Sequence, residues 1–282
     1  LRSNAAMTPS VSVLGDSALR IVWPRLSDDA VFEQIRRAVR LLEAAGFQQG
    51  QLVPGFASLT VMLDRLVDDW NMEVVRIEAA LSRAGATSED SQPRTVQIPV
   101  CFDSEFAPDL PQLVEQSHLS LTELIDQFVA ITFQVRLIGF APGFPYLAGL
   151  PEKFVMPRRS TPRLKVPAGS VAIGGQQAGI YPQASPGGWN LIGRCPLPLF
   201  EASRPQPALL AAGDRVRFRP ISAREFAAAL PDLPPPATWP ASKPGVTVIR
   251  PGLFTSIQDL GRPGRRHEGV TAGGAADAFS LR

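Results

Sequence analysis

The sequence predicts an α+β protein, with a small α/β domain first and a barrel or sandwich of short strands second. Three observations predict it. Apolar residues in the first 85 or so positions alternate between a two-residue and a 3.6-residue period. A polar break follows at Ala86–Pro93. From Phe133 onward, short alternating runs are separated by Gly and Pro, the pattern of a closed or stacked antiparallel sheet.

Residues 11 to 23 (VSVLGDSALRIVW) read as strand, Gly15-Asp16 turn and strand. Ser27 is placed to cap a helix whose Val31, Ile35, Ala38 and Leu42 share one face and which Gly46 ends. Leu52 to Leu63 reads as one further strand. A second helix, from about Asn71 to Arg83, turns Val74, Ile77 and Leu81 inward and stops at Gly85. The order ββαβα suits helices on one face of a sheet, over residues 10–88.

Beyond the break, Val96, Ile98 and Val100 alternate with polar neighbours as in a half-buried strand. Asp109 is a candidate N-cap for Leu110 to Gln116, and Ser120 with Glu123 forms a capping box ahead of Leu121 to Ile131. Strands are then expected in FQVRLIGF, GSVAI, AGIYP, WNLIGR and DRVRFRP, and Ser222 with Glu225 boxes a last helix to Leu230. This second domain spans residues 94–230. Six prolines between Pro231 and Gly245 make a stiff, extended linker at 231–245. Residues 246–282 begin a separate, Gly-rich unit that is too short to bury a core and is expected to pack poorly.

Composition narrows the function classes. Cys101 and Cys195 are too few for a disulfide framework, and neither forms a metal-ligand spacing with His118 or His267, so no metal is expected and a reducing cytoplasm is the expected location. The longest uncharged apolar stretch, Leu137 to Pro151, is short and broken by Gly and Pro, which argues against a membrane partner. With 28 Lys and Arg against 26 Asp and Glu, no global charge favours nucleic acid. A start at Leu1 and an end inside a developing helix suggest a piece of a longer chain.

The charge that matters is local. Between Glu152 and Glu201 there is no acidic residue, while Lys153, Arg158, Arg159, Arg163, Lys165 and Arg194 are cationic. Such a surface attracts anions. Arg158, Arg159, Arg163 and Lys165 read as an anion clamp stiffened by Pro157 and Pro162, or else as a solvated or ion-paired loop. Ser185-Pro186-Gly187-Gly188-Trp189 suits a tight turn that exposes backbone N–H groups beside the Ser185 hydroxyl, a donor set for an anion. Gln176 and Tyr181 could orient a ligand, and Phe140, Phe144, Tyr146 and Trp189 could wall a pocket for a small flat ring. No nucleophile has a histidine at a spacing that favours it as a base, so the catalytic residues stay open.

GFAPGFPYLAGLP, the PRRSTPRLKVPAGSVAIGGQQAGIYP run and SPGGWNLIGR, with VLGDSAL, VPGFASLTVMLD and RTVQIPV before them, resemble the allophanate hydrolase subunit 1 family, also called KipI-type or the B-type subunit of 5-oxoprolinase. The resemblance covers roughly residues 10 to 225. It implies a cyclophilin-like β-barrel for the second domain and a role in ATP-dependent opening of 5-oxoproline to glutamate, in a component inactive alone. It also implies ATP as cofactor, at a site that no Walker-type loop marks, and a third oxoprolinase subunit as partner. The tail, with Arg250-Pro251-Gly252, Asp259 and Gly261-Arg262, resembles the start of the companion family, allophanate hydrolase subunit 2 or the C-type subunit of 5-oxoprolinase, fused and truncated. The same pair of modules also resembles the carboxyltransferase part of urea carboxylase, for which biotin would be the partner. The KipI name implies a third possibility, inhibition of a sensor histidine kinase. Gln127 and Phe133 stand where the family usually has His and Tyr, so a proton-transfer role does not carry over to that helix from the resemblance, and whether activity survives stays open.

Overall fold

A computed structural model describes residues 9–24, 29–48, 51–63, 67–83, 93–230, 249–250 and 259–274. In the first domain β1 (Ser10–Leu14) and β2 (Ala18–Val22) form a hairpin, and β3 (Leu52–Pro54) and β4 (Ser58–Met62) form another. They join as one antiparallel sheet in the order β1-β2-β4-β3. The single strand expected over Leu52 to Leu63 is therefore two. The chain reverses at Gly55, whose N–H donates to the Ser58 carbonyl at 2.7 Å.

Two helices, α1 (Asp29–Ala44) and α2 (Trp70–Leu81), cover one face of this sheet. Val31, Ile35, Ala38 and Leu42 of α1 lie buried against Leu19, Ile21, Leu59 and Val61, so the expected apolar face is the one that packs. Asp69 caps α2 by accepting from the Asn71 N–H at 2.9 Å, one residue ahead of the expected start. Ile77 is fully buried, while Val74 and Leu81 are half-buried at the rim. Ser27, Gly85 and the linkers at 86–92 and 231–245 lie outside the described residues.

The second domain runs β5 (Thr95–Cys101), α3 (Leu110–Ser117), α4 (Leu121–Val129), β6 (Phe133–Ile138), β7 (Pro145–Ala148), β8 (Arg163–Val166), β9 (Ser170–Gly174), β10 (Gln177–Ile180), β11 (Ser185–Gly187), β12 (Asn190–Arg194), β13 (Arg215–Ile221) and α5 (Ala223–Ala229). Strands β10-β7-β6-β13-β5-β12-β9 close into a seven-stranded barrel. Closure removes the free edges that an open sheet must protect. The β5–β13 pair is parallel over its whole length, Thr95 facing Arg215 and Cys101 facing Ile221; the other barrel pairs are antiparallel.

Helix α4 lies on this sheet and drives Phe128 into the core. Its ring stacks on Phe218 at 5.4 Å and meets Phe133 and Phe154. Phe133 is fully buried, so a phenol here would bring a hydroxyl into an apolar cluster; the residue serves packing. Both capping boxes form as read: Ser120 and Ser222 Oγ accept from the Glu123 and Glu225 N–H groups, and each glutamate carboxylate accepts from its serine's backbone N–H.

Two expectations change. Ser185 to Trp189 is not a free turn. Its first three residues form β11, which pairs with β8 in a two-stranded ribbon with a register shift between Ser185 and Gly187. The tail is not loose where it is described. The Gly143 N–H donates to the Glu268 carbonyl at 2.9 Å, and Glu268 is buried in a 3-10 turn over Arg266–Glu268. Residues 265–270 thus borrow the existing barrel surface instead of needing a core of their own. No helix among the described residues is long and apolar enough to cross a membrane.

Candidate functional site

One end of the barrel carries an aromatic wall centred on Phe144. Its ring centroid lies 5.3 Å from Phe140, 5.0 Å from Tyr146, 5.2 Å from Tyr181 and 5.6 Å from Trp189, mostly edge to face, the arrangement that ring quadrupoles favour. All four expected wall residues are brought together, with Tyr181 as a fifth. Phe56, in the turn between β3 and β4, adds a sixth ring from the first domain, 5.5 Å from Tyr146.

Glycines let the rings seat this closely. A Cβ on Gly174 would stand 2.5 Å from the Trp189 indole, and one on Gly187 would stand 2.4 Å from the Tyr181 hydroxyl. Phe144, Tyr181 and Trp189 are consequently buried and form a packed wall. Phe140 differs: it holds φ at 66°, a region that costs a non-glycine residue about 1–2 kcal/mol, and is 63% exposed. Packing under Phe140 offsets the backbone strain and leaves one ring face to solvent.

The basic residues divide by partner. Arg158 is exposed, with its guanidinium 5.7 Å from the Trp189 ring centroid. Burial pushes the Tyr146 and Tyr181 phenols above their ordinary pKa, and the Arg158 charge acts against this at both. Its field therefore reaches both hydroxyls. Arg159 and Arg163 instead converge on Asp109 Oδ1, at 3.1 and 2.8 Å. The acid missing from the sequence neighbourhood is supplied about fifty residues earlier in the chain, and these two arginines are an ion-paired brace, not half of a free clamp.

The remaining cations are placed as follows. Lys165 is exposed on β8. Arg194 Nε donates to the Ala168 carbonyl at 2.8 Å and its guanidinium lies over Phe106 and Phe226. Lys153 donates to Gln127, which occupies the surface of α4. Gln176 is exposed in the β9–β10 turn, and the Gly188 carbonyl is taken by the Arg159 N–H at 2.8 Å. Ser185 Oγ and Arg163 Nη1, on the paired strands β11 and β8, are buried without a hydrogen-bond partner among the described residues. Gly187, next but one to Ser185 on β11, packs against the Tyr181 ring of the wall.

No covalent nucleophile is prepared among the described residues. Ser185 Oγ has no hydrogen bond to a histidine; His118 ends α3 in a left-handed conformation and His267 lies in the tail turn. Burial raises the Cys101 thiol and pushes Cys195 up to about 12, which keeps both protonated at neutral pH. No cluster of three or more metal-type ligands is found among the described residues. Such a surface can bind and orient a small anion with a flat apolar body.

Asp109 and Phe56 were missed from the sequence. A capping role sufficed for Asp109, yet its side chain makes no cap bond; Oδ2 instead accepts from the Leu191 N–H at 2.6 Å. Its partners lie 50 to 82 residues away, beyond any local pattern.

Residues 9–210 match the family model described as carboxyltransferase domain, subdomain C and D. The chain is 37% identical over 227 residues to the B-type subunit of 5-oxoprolinase from Bacillus subtilis, covering 77% of this chain and 94% of that protein. It is 41% identical over 189 residues to the protein of the same name from Escherichia coli O157:H7, covering 66% and 83%. The crystal structure of TTHA0988 superposes with a TM-score of 0.71 at 30% identity, covering 91% of this chain, which spans half of that one. The Kluyveromyces lactis urea carboxylase shares the fold at a TM-score of 0.62 and 18% identity, over 81% of this chain and 23% of that one.

Proposed function

The chain belongs to the family of B-type 5-oxoprolinase subunits, which are carboxyltransferase-type domains, and from that premise we propose that it is the B-type component of an ATP-dependent 5-oxoprolinase, which opens 5-oxoproline to glutamate. The observation that carries the reading is the pairing of an aromatic wall with one exposed arginine. The ring of 5-oxoproline is small and largely apolar, and its carboxylate is an anion. Phe140 and Tyr146 offer the ring a face, and Arg158, with no acid partner among the described residues, offers the carboxylate a planar donor fork.

Two groups on the β8–β11 ribbon extend the reading. Arg163 Nη1 and Ser185 Oγ, which have no hydrogen-bond partner among the described residues, are the donors we assign to the oxygen that gains charge as a lactam opens, because donors fixed in advance are the effective kind. With no nucleophile and no phosphate loop at hand, the nucleotide and the attacking water are assigned to a partner subunit, and this chain alone is inactive. The partners are a C-type module, whose opening the tail resembles, and a third subunit. Two unpaired buried cysteines agree with a reducing cytoplasm.

Reconstituting the full chain with its partner subunits and following glutamate formation tests the reading. ATP-dependent turnover that Arg158→Ala lowers is the expected result. Turnover equal in its absence removes the proposal. Carboxyl transfer is not proposed, since the likeness to urea carboxylase reaches only the fold.

A further inference from the structure

A cavity of about 430 Å³ opens between the two domains, lined by none of the six rings of the aromatic wall. This size suits a small organic ligand. Its lining is unusually cationic: Arg36 and Arg40 of α1, Arg94 ahead of β5, Arg136 of β6 and Arg265 of the tail, against Glu268 as the one acid among the described lining residues.

Several of these charges are already engaged by acids. Arg94 binds Asp214, Arg265 binds Glu268 at 3.3 Å, and Arg36 reaches Glu33 at 3.4 Å. Arg136 and Arg40 are different. The Arg136 side chain is only 9% exposed; it lies over the Phe32 ring and gives Nη2 to Asp29, whose own side chain is 89% exposed. Its Nη1 is buried and has no hydrogen-bond partner among the described residues. Arg40 Nε and His267 Nδ1, also in this lining, are buried in the same condition. Burial lowers the His267 pKa, so near neutral pH it is an uncharged ring.

Buried guanidinium nitrogens without acceptors are uncommon, because they lose water and gain nothing in return. The two residues that carry them line the same cavity from different domains, and its other walls include Phe32, Ile35 and Leu52. We propose that this junction is a second binding site, for a small organic anion bearing a carboxylate or phosphate group, held by Arg136 and Arg40 with its apolar part against α1 and β3. Since α1, β6 and the tail each supply a wall, an occupant would also fasten the first domain and residues 265–268 to the barrel.

The proposal does not depend on the 5-oxoproline reading, and its test separates them. Calorimetric titration of the full chain with inorganic pyrophosphate and with glutarate probes the phosphate and carboxylate cases. At least one should bind, and Arg136→Gln and Arg40→Gln should each weaken it by roughly 10- to 100-fold, as expected for one charge-assisted contact. Arg158→Gln should leave it unchanged. Should Arg136→Gln fail to fold, Arg40→Gln at the more exposed position decides alone. Absence of binding by both probes, or binding insensitive to Arg40→Gln, overturns the proposal; binding lost with Arg158→Gln instead moves the anion to the aromatic wall and overturns it too.

Discussion

Asp109 and Arg163 are joined by a 2.8 Å ion pair in which the carboxylate is 6% exposed, and the same carboxylate takes Arg159 and the Leu191 N–H. One acid thus ties the β8 loop, the start of α3 and strand β12 together. Removing it by Asp109→Ala leaves two guanidinium groups facing a buried site without a counter-charge. The expected loss is about 3–5 kcal/mol. Urea unfolding measures it, and a loss under about 1 kcal/mol, the level of a surface pair, would mean that the brace is ornamental.

Gly174→Ala tests how the wall is seated. A methyl 2.5 Å from the indole must displace either Trp189 or the β9 backbone, and overpacking of this kind costs about 1–3 kcal/mol. Tryptophan fluorescence and near-ultraviolet dichroism should change along with stability. Unaltered spectra would show that the indole does not rest on this glycine.

The two thiols give a chemical readout of the fold. With Cys195 pushed up to about 12 and Cys101 also raised, the thiolate fraction at pH 8 is small and access is closed. Neither should react with iodoacetamide in the native state, and both should react once the chain is unfolded. Rapid native labelling of Cys195 would place it nearer solvent than the barrel allows.

Acid should weaken the caps. Hydrogen bonds from Ser120 hold the Glu123 carboxyl below its ordinary pKa, and those from Ser222 do the same for Glu225. A depressed folded value means that the folded state binds fewer protons. The contribution is therefore complete above the unfolded pKa of about 4.3 and disappears as pH falls through the lower folded value. Carbon-detected titration should show both glutamates titrating below that figure, and Ser120→Ala should return Glu123 toward it.

Local regularities were legible in the sequence. The i, i+4 face of α1, the two capping boxes and the alternation in β5 and β13 each rest on a few consecutive residues and reappear in the structure. The aromatic wall was legible as a residue set because Phe140, Phe144 and Tyr146 fall within seven positions of one another. Long-range facts were not. Strand β7 is only four residues long, β8 gains its conformation by pairing with β11, and Arg136 shows its buried charge only once α1 has brought Phe32 over it. The acid-free run misled for the same reason, since Asp109 approaches it only through the closed barrel.

The division of the basic residues gives the sharpest test of the candidate site. Arg158 is exposed, lies by the Trp189 ring and has no acid partner among the described residues, so Arg158→Ala should leave the melting temperature nearly unchanged. If it holds the substrate carboxylate, its loss should lower kcat/KM by about 1–3 kcal/mol, one charge-assisted contact. Arg163 carries two roles in this reading, because Nη2 binds Asp109 and Nη1 has no hydrogen-bond partner among the described residues. Arg163→Ala should therefore lower both stability and turnover. Arg159, with its guanidinium committed to Asp109, should affect stability first. Thermal melts and steady-state kinetics on the three single variants, in the reconstituted complex, separate these patterns. A large drop in melting temperature for Arg158→Ala with unaltered kcat/KM would make Arg158 a structural contact and remove the substrate site from the aromatic wall.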